Sequence, residues 1–197
     1  MTLIGYAERA VVRSGSRALD VALVLLALPV YGPLVLVAAI AIKADDGGPV
    51  LFWQRRLGRG RAPFFIPKLR TMSSGAVTRV GRWLRPTGLD ELPQFWSVLA
   101  GDMDLVGPRP LTEADVARLS LLDPKFDARY RVRPGITGLA QVLGGASAIE
   151  CSRLDRVYAC RRNALTDVVL LGLSVAINVA GRRRVRALLS RCLEESP

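Results

Sequence analysis

Two adjacent carboxylates, Asp90 and Glu91, have the type and spacing that could carry chemistry. An apolar periodic segment follows them, so we predict them at the N-terminal end of a helix, where the helix dipole favours negative charge. A carboxylate kept ionised there could act as a nucleophile, and the same helix end could hold a phosphate. Aspartate at a helix start is also a common cap. Spacing alone therefore leaves a catalytic and a structural interpretation open.

Basic side chains stand on both sides of this pair. The stretch before it contains Lys68, Arg70, Arg79, Arg82 and Arg85. After it, the rigid turn Gly107–Pro110 presents Arg109, whose guanidinium could bind a phosphate through two hydrogen bonds. A solvated basic face and an ordinary surface turn explain the same residues. Because opposite charges converge on a short span, a phosphate substrate with Mg²⁺ is an economical interpretation.

The composition excludes several kinds of active site. The chain has no histidine, which excludes Ser-His-Asp and Cys-His arrangements and the zincin motif. Its three cysteines, Cys151, Cys160 and Cys192, have no CxxC spacing and predict neither a zinc site nor a disulfide framework. We therefore expect a reducing environment. The sequence also lacks GxGxxG and Walker A motifs, so nucleotide binding would need another scheme.

Charge and hydrophobicity point in different directions. The formal net charge is +11, yet 50% of the residues are hydrophobic and the mean hydropathy is +0.27. This apolar content excludes a disordered chain. The charge alone would suit a nucleic-acid-binding protein, but no such motif is present, so we expect no nucleic-acid partner. The sequence instead predicts a basic body joined to a concentrated apolar segment.

The apolar segment runs from Val21 to Ile42 without a charged side chain. As a straight helix it would be about 33 Å long, roughly one hydrocarbon thickness. However, Pro29, Gly32 and Pro33 interrupt its middle, and basic residues flank both ends. Proline bends a helix, and the positive-inside rule places both flanks on the cytoplasmic side. We therefore favour a helix that enters and leaves one face of the membrane over a spanning helix.

A second apolar stretch, Val168–Ala180, is too short to span a bilayer. An arginine cluster follows it, formed by Arg182, Arg183, Arg184 and Arg186. An apolar helix ending in such a cluster suits a membrane interface with anionic headgroups. A core helix with a solvated basic tail explains the pattern equally well.

The region between these stretches predicts a mixture of strands and helices. We expect strands at Pro49–Gln54 and Phe64–Leu69, joined through a turn at Arg61–Pro63, with Pro67 placing the second strand at a sheet edge. We interpret Pro134–Gln141 as a loop.

Two helices are predicted in the same region. The first is Asp90–Ala100, ended by Gly101. It has one apolar face, formed by Leu92, Phe95, Trp96 and Leu99. The second is Glu113–Leu122, capped by Thr112.

Four blocks of the sequence resemble the bacterial sugar transferases, the monotopic phosphoglycosyl transferases. In order, they are Gly47–Met72, Gly81–Pro110, Arg129–Gly145 and Leu154–Leu171. The segments LDELPQ and DLVGPRP in the second block are the most specific. With the proline-containing apolar N-terminus, the resemblance covers nearly the whole chain.

The resemblance implies a reaction and roles for residues. A phosphosugar would pass from a UDP-sugar to a polyprenyl phosphate such as undecaprenyl phosphate, in a ping-pong reaction with Mg²⁺ that releases UMP. Asp90 would be the nucleophile, Glu91 its partner, and both would hold the metal. Further positions matching the family would bind substrate, namely Lys68, Arg70, Arg85, Arg109, Pro110 and, more weakly, Gln141.

The resemblance also implies an architecture. We expect an α+β, mostly helical fold with a Pro-kinked re-entrant membrane helix in residues 1–45. Residues 46–197 would form a compact cytoplasmic catalytic domain with amphipathic interfacial helices, one of them C-terminal. The protein would lie at the cytoplasmic face of a bacterial inner membrane rich in anionic lipid, as the first membrane step of surface glycan synthesis. The short segment before the apolar run suggests the family's short form; a homo-oligomer stays open.

Some positions depart from the family pattern. The link from Met72 to Gly81 is short, and the segment after Gln141, LGGASAIECS, replaces a more usual continuation. This change puts sugar or acceptor contacts in doubt but leaves the carboxylate pair intact. An inactive membrane-surface scaffold for glycan assembly enzymes is therefore the alternative to an enzyme.

Overall fold

The structure, a computed structural model, describes residues 17–145, 147–181 and 184–185, which form a mostly helical α+β fold, as expected. The α-helices are α1 (Arg17–Asp46), α2 (Gly81–Thr87), α3 (Phe95–Ala100), α4 (Glu113–Leu122), α5 (Leu139–Leu143), α6 (Ala148–Arg161) and α7 (Ala164–Ala180). The strands are β1 (Leu51–Leu57), β2 (Pro63–Leu69), β3 (Met72–Ser73), β4 (Ala76–Val77), β5 (Asp104–Val106) and β6 (Gly135–Thr137). Short 3₁₀ helices occupy Arg59–Arg61, Leu89–Gln94 and Phe126–Arg131.

Helix α1 carries the predicted apolar run, with Pro29 and Pro33 inside it. By length and composition it could cross a membrane. Most of its apolar side chains are exposed, including Leu26 at 76% and Val30 at 69%. Exposing so much apolar surface to water is unfavourable, and this pattern is typical of a surface that meets lipid or another apolar phase.

Both ends of α1 nevertheless contact the rest of the protein. Near its start, Arg17 donates a hydrogen bond of 2.9 Å to the Leu99 carbonyl. The Leu105 amide donates one of 3.3 Å to Asp20. Near its end, Ala38 and Ile42 are buried. These two residues lie in a cluster with Leu69 of β2 and Leu84 of α2.

The middle of α1 also touches the body. The rings of Tyr31 and Phe95 are 4.9 Å apart, and Val35 packs against the cluster around Ala38. The helix therefore lies along the body through most of its length. It is one continuous helix from Arg17 to Asp46, so the kink expected of a re-entrant helix stays a prediction.

Strands β1 and β2 form an antiparallel hairpin with Leu51 opposite Leu69 and Leu57 opposite Pro63. The second strand agrees with the prediction, whereas the first lies further along the chain than Pro49–Gln54. The turn is at Arg59–Arg61 rather than Arg61–Pro63 because Gly60 adopts φ 64°, a left-handed conformation that glycine accepts readily.

The helix predicted for Asp90–Ala100 is wrong in its first half. Leu89–Gln94 is a 3₁₀ helix, and α3 begins only at Phe95. Pro93, which cannot donate a backbone hydrogen bond, lies inside the 3₁₀ segment. The predicted apolar face is right for Phe95 and Leu99, which pack against the main core, and wrong for Trp96. Trp96 is 65% exposed, whereas Val98 is fully buried.

The signals that terminate and cap the neighbouring helices act as predicted. Gly101 ends α3 with φ 95°. Thr112 caps α4, accepting a 3.1 Å hydrogen bond from the Asp115 amide, while the Asp115 side chain accepts from the Thr112 backbone. These contacts are local, which is why the sequence indicates them directly.

The predicted loop Pro134–Gln141 instead contains β6 and the start of α5. Strand β6 pairs in parallel with β5, Asp104 lying opposite Gly135. The backbones approach closely here, because a Cβ atom on Gly135 would lie 2.0 Å from the Gly107 nitrogen. Two three-residue strands distant in sequence leave no periodicity to detect.

A buried polar cluster joins β5 to helices α6 and α7. The Tyr158 hydroxyl donates to the Val106 carbonyl at 2.9 Å and lies 2.6 Å from the Asp167 carboxylate. Arg162 pairs with Asp104 at 2.7 Å and with Asp167 at 3.2 Å. Because buried polar groups are costly unless paired, this cluster fixes how the two helices lie against the sheet.

We expect Gly135→Ala to destabilise the protein by about 2–3 kcal/mol, because the added methyl group would overlap the Gly107 backbone. Thermal unfolding in detergent would measure the effect. The matched control is Gly172→Ala on α7, where a Cβ meets nothing within 4 Å and should stabilise the helix by roughly 0.5–1 kcal/mol. Equal unfolding temperatures for the two variants would contradict the close approach of β5 and β6.

Candidate active site

The predicted carboxylate pair lies on the 3₁₀ helix Leu89–Gln94, which packs against β2. Glu91 receives two cations on one oxygen: Lys68 Nζ lies 2.7 Å from Oε1, and Arg109 Nη2 lies 2.9 Å from it. Lys68 comes from β2 and Arg109 from the loop after β5. The structure therefore brings together four of the predicted site residues, Asp90, Glu91, Lys68 and Arg109.

The two carboxylates have different environments. No described side chain donates a hydrogen bond to Asp90. Burial, then the negative charge of Glu91, raises the pKa of Asp90, and the charges of Lys68 and Arg85 partly oppose this rise. Burial also acts to raise the pKa of Glu91, but Arg109 and Lys68 together bring it below its usual value. Glu91 is thus the held anion and Asp90 the unpaired one.

This arrangement corrects the electrostatic part of the sequence prediction. We expected a helix dipole to keep Asp90 ionised. Asp90 instead lies in a short 3₁₀ segment that does not form the first turn of α3. The charges of Lys68 and Arg85 favour the ionised form of Asp90, whereas burial and the charge of Glu91 disfavour it.

The sequence analysis missed Arg129, which positions Arg109. Its guanidinium donates a 2.6 Å hydrogen bond to the Arg109 carbonyl and pairs with Asp155 of α6 at 3.1 Å. It also lies 5.2 Å from the Phe126 ring centroid. Both charged side chains of the pair are only 5% exposed. Both residues lie in blocks that resemble the family, yet their pairing joins separate segments and leaves no local signal.

Pro110 lies beside Arg109 and takes part through its backbone. Its carbonyl accepts a 3.2 Å hydrogen bond from Arg56 of β1. The next residue, Leu111, accepts a 3.0 Å hydrogen bond from the Leu57 amide. These contacts tie the Arg109 loop to the β1–β2 hairpin and so to Lys68.

Arg70 and Arg85 lie apart from the Glu91 ion pairs. Arg70 pairs with Asp46 at the end of α1 and donates a 2.6 Å hydrogen bond to the Pro49 carbonyl. Arg85 lies 3.2 Å from the Met72 sulfur, near enough to Asp90 to influence its pKa. A substrate-binding role for either residue stays a prediction.

A cavity of about 680 Å³ opens beside Glu91. Gln141 of α5 lines it, and both polar atoms of the Gln141 side chain are buried without a hydrogen-bond partner among the described residues. Buried amides are normally paired, so Gln141 retains unused hydrogen-bonding capacity. The structure thus places this weakest sequence candidate in the same cavity as Glu91.

The donor set fits Mg²⁺ of the kind that accompanies phosphates. The described residues contain no cluster of three or more acidic, cysteine or histidine ligands. Mg²⁺ at phosphate sites commonly uses one or two carboxylates and fills its other positions with water and substrate oxygens. Asp90 and Glu91 supply two carboxylates, and only Oε1 of Glu91 accepts hydrogen bonds from described side chains.

The structure combines a helix that has an exposed apolar surface with a pair of carboxylates and two cations. Comparison with known proteins gives the family. The family model described as "Bacterial sugar transferase" matches residues 11–181, so the chain belongs to the bacterial sugar transferase family.

Several curated relatives are similar over most of this chain. It is 46% identical to a UDP-glucose:undecaprenyl-phosphate glucose-1-phosphate transferase of Caulobacter vibrioides, over 77% of this chain and 62% of the relative. It is 40% identical to a UDP-N-acetylgalactosamine-undecaprenyl-phosphate N-acetylgalactosaminephosphotransferase of Aeromonas hydrophila, over 67% of this chain and 34% of the relative. The chain therefore spans less than two thirds of the length of these two relatives.

Another relative is covered over most of its own length by this chain. The exopolysaccharide production protein PSS of Rhizobium leguminosarum bv. phaseoli is 40% identical, over 79% of this chain and 84% of the relative. The names of the first two relatives include different sugars, so the family resemblance does not select one sugar for this chain.

We expect Glu91→Gln to lower the pKa of Asp90, because it removes a nearby negative charge that raises this pKa. Carboxyl ¹³C NMR of aspartate-labelled protein would measure it, with the Asp90→Asn spectrum assigning the signal. The control is Glu113→Gln, which removes an exposed carboxylate paired with Arg55 and should leave the titration unchanged. An unchanged or higher pKa in Glu91→Gln would contradict the described electrostatics.

Proposed function

We propose that this protein is a phosphoglycosyl transferase that moves a phosphosugar from a UDP-sugar to undecaprenyl phosphate or a similar polyprenyl phosphate. The observation that carries the proposal is the unpaired Asp90 beside Glu91, which Lys68 and Arg109 hold. Family membership supports the same reaction, since the printed names of two relatives describe it with UDP-sugars.

In the first half-reaction, a carboxylate oxygen of Asp90 attacks the β-phosphorus of the UDP-sugar. The bond from this phosphorus to the bridging oxygen breaks, and UMP leaves with that oxygen. The product is an aspartyl-phosphosugar, a covalent intermediate of the kind that divides one difficult transfer into two steps. Lys68 and Arg109 are placed to offset the phosphate charge.

In the second half-reaction, a phosphate oxygen of the polyprenyl phosphate attacks the same phosphorus. The bond to Asp90 breaks, which restores the carboxylate and yields polyprenyl-diphosphate-sugar. Since Asp90 is the attacking group in the first step and the leaving group in the second, its raised pKa has consequences for both. It makes the carboxylate a stronger nucleophile once ionised, and it requires a pH above that pKa for turnover.

Asp90 and Glu91 would hold Mg²⁺ when it is bound, and the ion would offset negative charge on the donor diphosphate. Glu91 would also keep Lys68 and Arg109 gathered at the site. This second role follows from the ion pairs alone and does not depend on the ion.

A membrane location at one face suits the contacts of α1. Arg17, Asp20 and Val24 touch the body near one end of the helix, and Ala38 and Ile42 touch it near the other. Contacts of both helix ends with the same body support a location at one membrane face, and re-entry would in addition need a bend at Pro29 or Pro33. The exposed apolar side chains of its middle would then lie in one leaflet.

The cytoplasmic face of a bacterial inner membrane is the location we propose for the body. The +11 charge suits anionic headgroups there. Helix α7 is present where Val168–Ala180 was predicted, and its interfacial role is part of this proposal. Of the arginine cluster after it, Arg182, Arg183 and Arg186 lie outside the described residues.

We expect Asp90→Asn to abolish transfer, lowering the rate at least about 10³-fold, because an amide cannot serve as the nucleophile. The assay is UMP release from a panel of UDP-sugars with undecaprenyl phosphate in purified membranes. In the absence of acceptor, wild type should trap radiolabelled phosphosugar on the protein and the variant should not. Asp102→Asn, at an exposed aspartate, is the control and should retain activity.

Two results of this experiment would contradict the proposal. Undiminished transfer by Asp90→Asn would exclude the aspartyl intermediate. No turnover by wild type with any donor would favour the alternative, an inactive membrane-surface scaffold.

A separate experiment tests the topology. In a version without native cysteines, Thr2→Cys and Arg59→Cys place one thiol on each side of α1. Intact cells treated with an impermeant thiol reagent should label neither site, and permeabilised cells should label both. Labelling of only the Thr2→Cys protein from outside would show that α1 spans the membrane.

A further inference from the structure

The cavity beside Glu91 has a wall that the reaction scheme does not use. Helix α7 contributes Ser174, Ile177 and Asn178 to it. These positions are three and four residues apart, so they share one face of the helix. Helix α5, which contacts α7, contributes Gln141. The cavity therefore lies between the 3₁₀ helix that carries the dyad, α5 and α7.

The chemistry of this cavity suits a neutral ligand with hydroxyl groups. Among the described residues that line it, Glu91 is the only charged one, while Thr87, Thr137, Ser174 and Asn178 are polar and uncharged. A diphosphate would call for cations, which this lining does not include. Seven of the fourteen described residues that line the cavity are apolar, among them Phe95, Ile136 and Ile177, a common setting in which a few polar groups orient a small ligand.

The cavity also has a suitable size and position. Its volume of about 680 Å³ falls within the roughly 300–1,000 Å³ typical of small-molecule sites. Glu91 lines it on one side and contacts Lys68 and Arg109. A donor whose β-phosphate lies at these cations can therefore extend its sugar past Glu91 into the cavity.

We propose that Ser174 and Asn178 contact the donor sugar, that Gln141 shapes the cavity wall beside them, and that α7 thereby sets the sugar preference. This inference rests on the proposed transferase function and adds the substrate contacts that determine specificity. It also assigns a role to Asn178, which interrupts the apolar stretch Val168–Ala180. Amide and hydroxyl groups discriminate between epimers because a misplaced sugar hydroxyl leaves a buried polar group unpaired.

The experiment compares donor preference in wild type and in Asn178→Leu, Ser174→Ala and Gln141→Leu. Each UDP-hexose and UDP-N-acetylhexosamine is assayed for kcat/KM by UMP release. We expect the ratio between the best donor and its competitors to change by about tenfold in at least one variant, the scale of one or two lost hydrogen bonds. The control is Val179→Ala, an 84% exposed residue of α7 outside the cavity lining, which should keep the wild-type ratios.

Two further measurements separate the sugar from other ligands. Inhibition by UMP, which lacks the sugar, should be unchanged in the α7 variants, and so should the KM for undecaprenyl phosphate. Weaker UMP inhibition with unchanged donor ratios would place the nucleotide in the cavity and overturn the inference. A raised acceptor KM with unchanged ratios would place the acceptor there and also overturn it.

The outcomes also separate this inference from the proposed function. Wild-type turnover with unchanged donor ratios in all three variants overturns the sugar subsite alone. An inactive wild type overturns the transferase function and, with it, the subsite.

Discussion

The double ion pair on Glu91 is the contact on which the candidate site depends. It joins β2, the dyad turn and the loop after β5 through a single carboxylate oxygen. The same contact lowers the pKa of Glu91, so a negative charge persists beside Asp90 and helps to raise the pKa of Asp90. One carboxylate is thus committed to holding cations, and the other is left unpaired. Two neighbouring acidic residues therefore have distinct electrostatic environments, because among the described contacts only Glu91 forms ion pairs with basic side chains.

Support for these cations comes from contacts beyond the site. Arg109 depends on the buried pair of Arg129 and Asp155, because Arg129 also holds the Arg109 carbonyl. Its neighbour Pro110 is tied to the β1–β2 hairpin through Arg56. The hairpin in turn supplies Lys68. Backbone contacts and the shared Glu91 carboxylate therefore both hold Lys68 and Arg109 in place. Cations held in this way can stabilise negative charge on a bound group without first having to move.

Local signals made parts of this structure predictable from the sequence. Thr112 and Asp115 are three residues apart, so their capping box and α4 follow from the sequence alone. The role predicted for Asp90 and Glu91 rests on family resemblance, because spacing could not distinguish a nucleophile from a cap. Contacts between residues distant in sequence were missed. Strand β6 forms by pairing with β5, and Arg129 forms an ion pair with Asp155 on a separate helix. The 3₁₀ turn that contains Pro93 and the exposure of Trp96 were also missed.

Helix α1 is as much part of the body's interior as it is a membrane element. Val24 is only 1% exposed and belongs to the main apolar core, together with Val98 and Leu105. A version lacking α1 would expose this core and leave the Leu105 amide without Asp20. The body therefore cannot be separated cleanly from this helix. Deleting α1 to obtain a water-soluble version would remove part of the core and not a detachable anchor, so the helix and the body would fold as one unit.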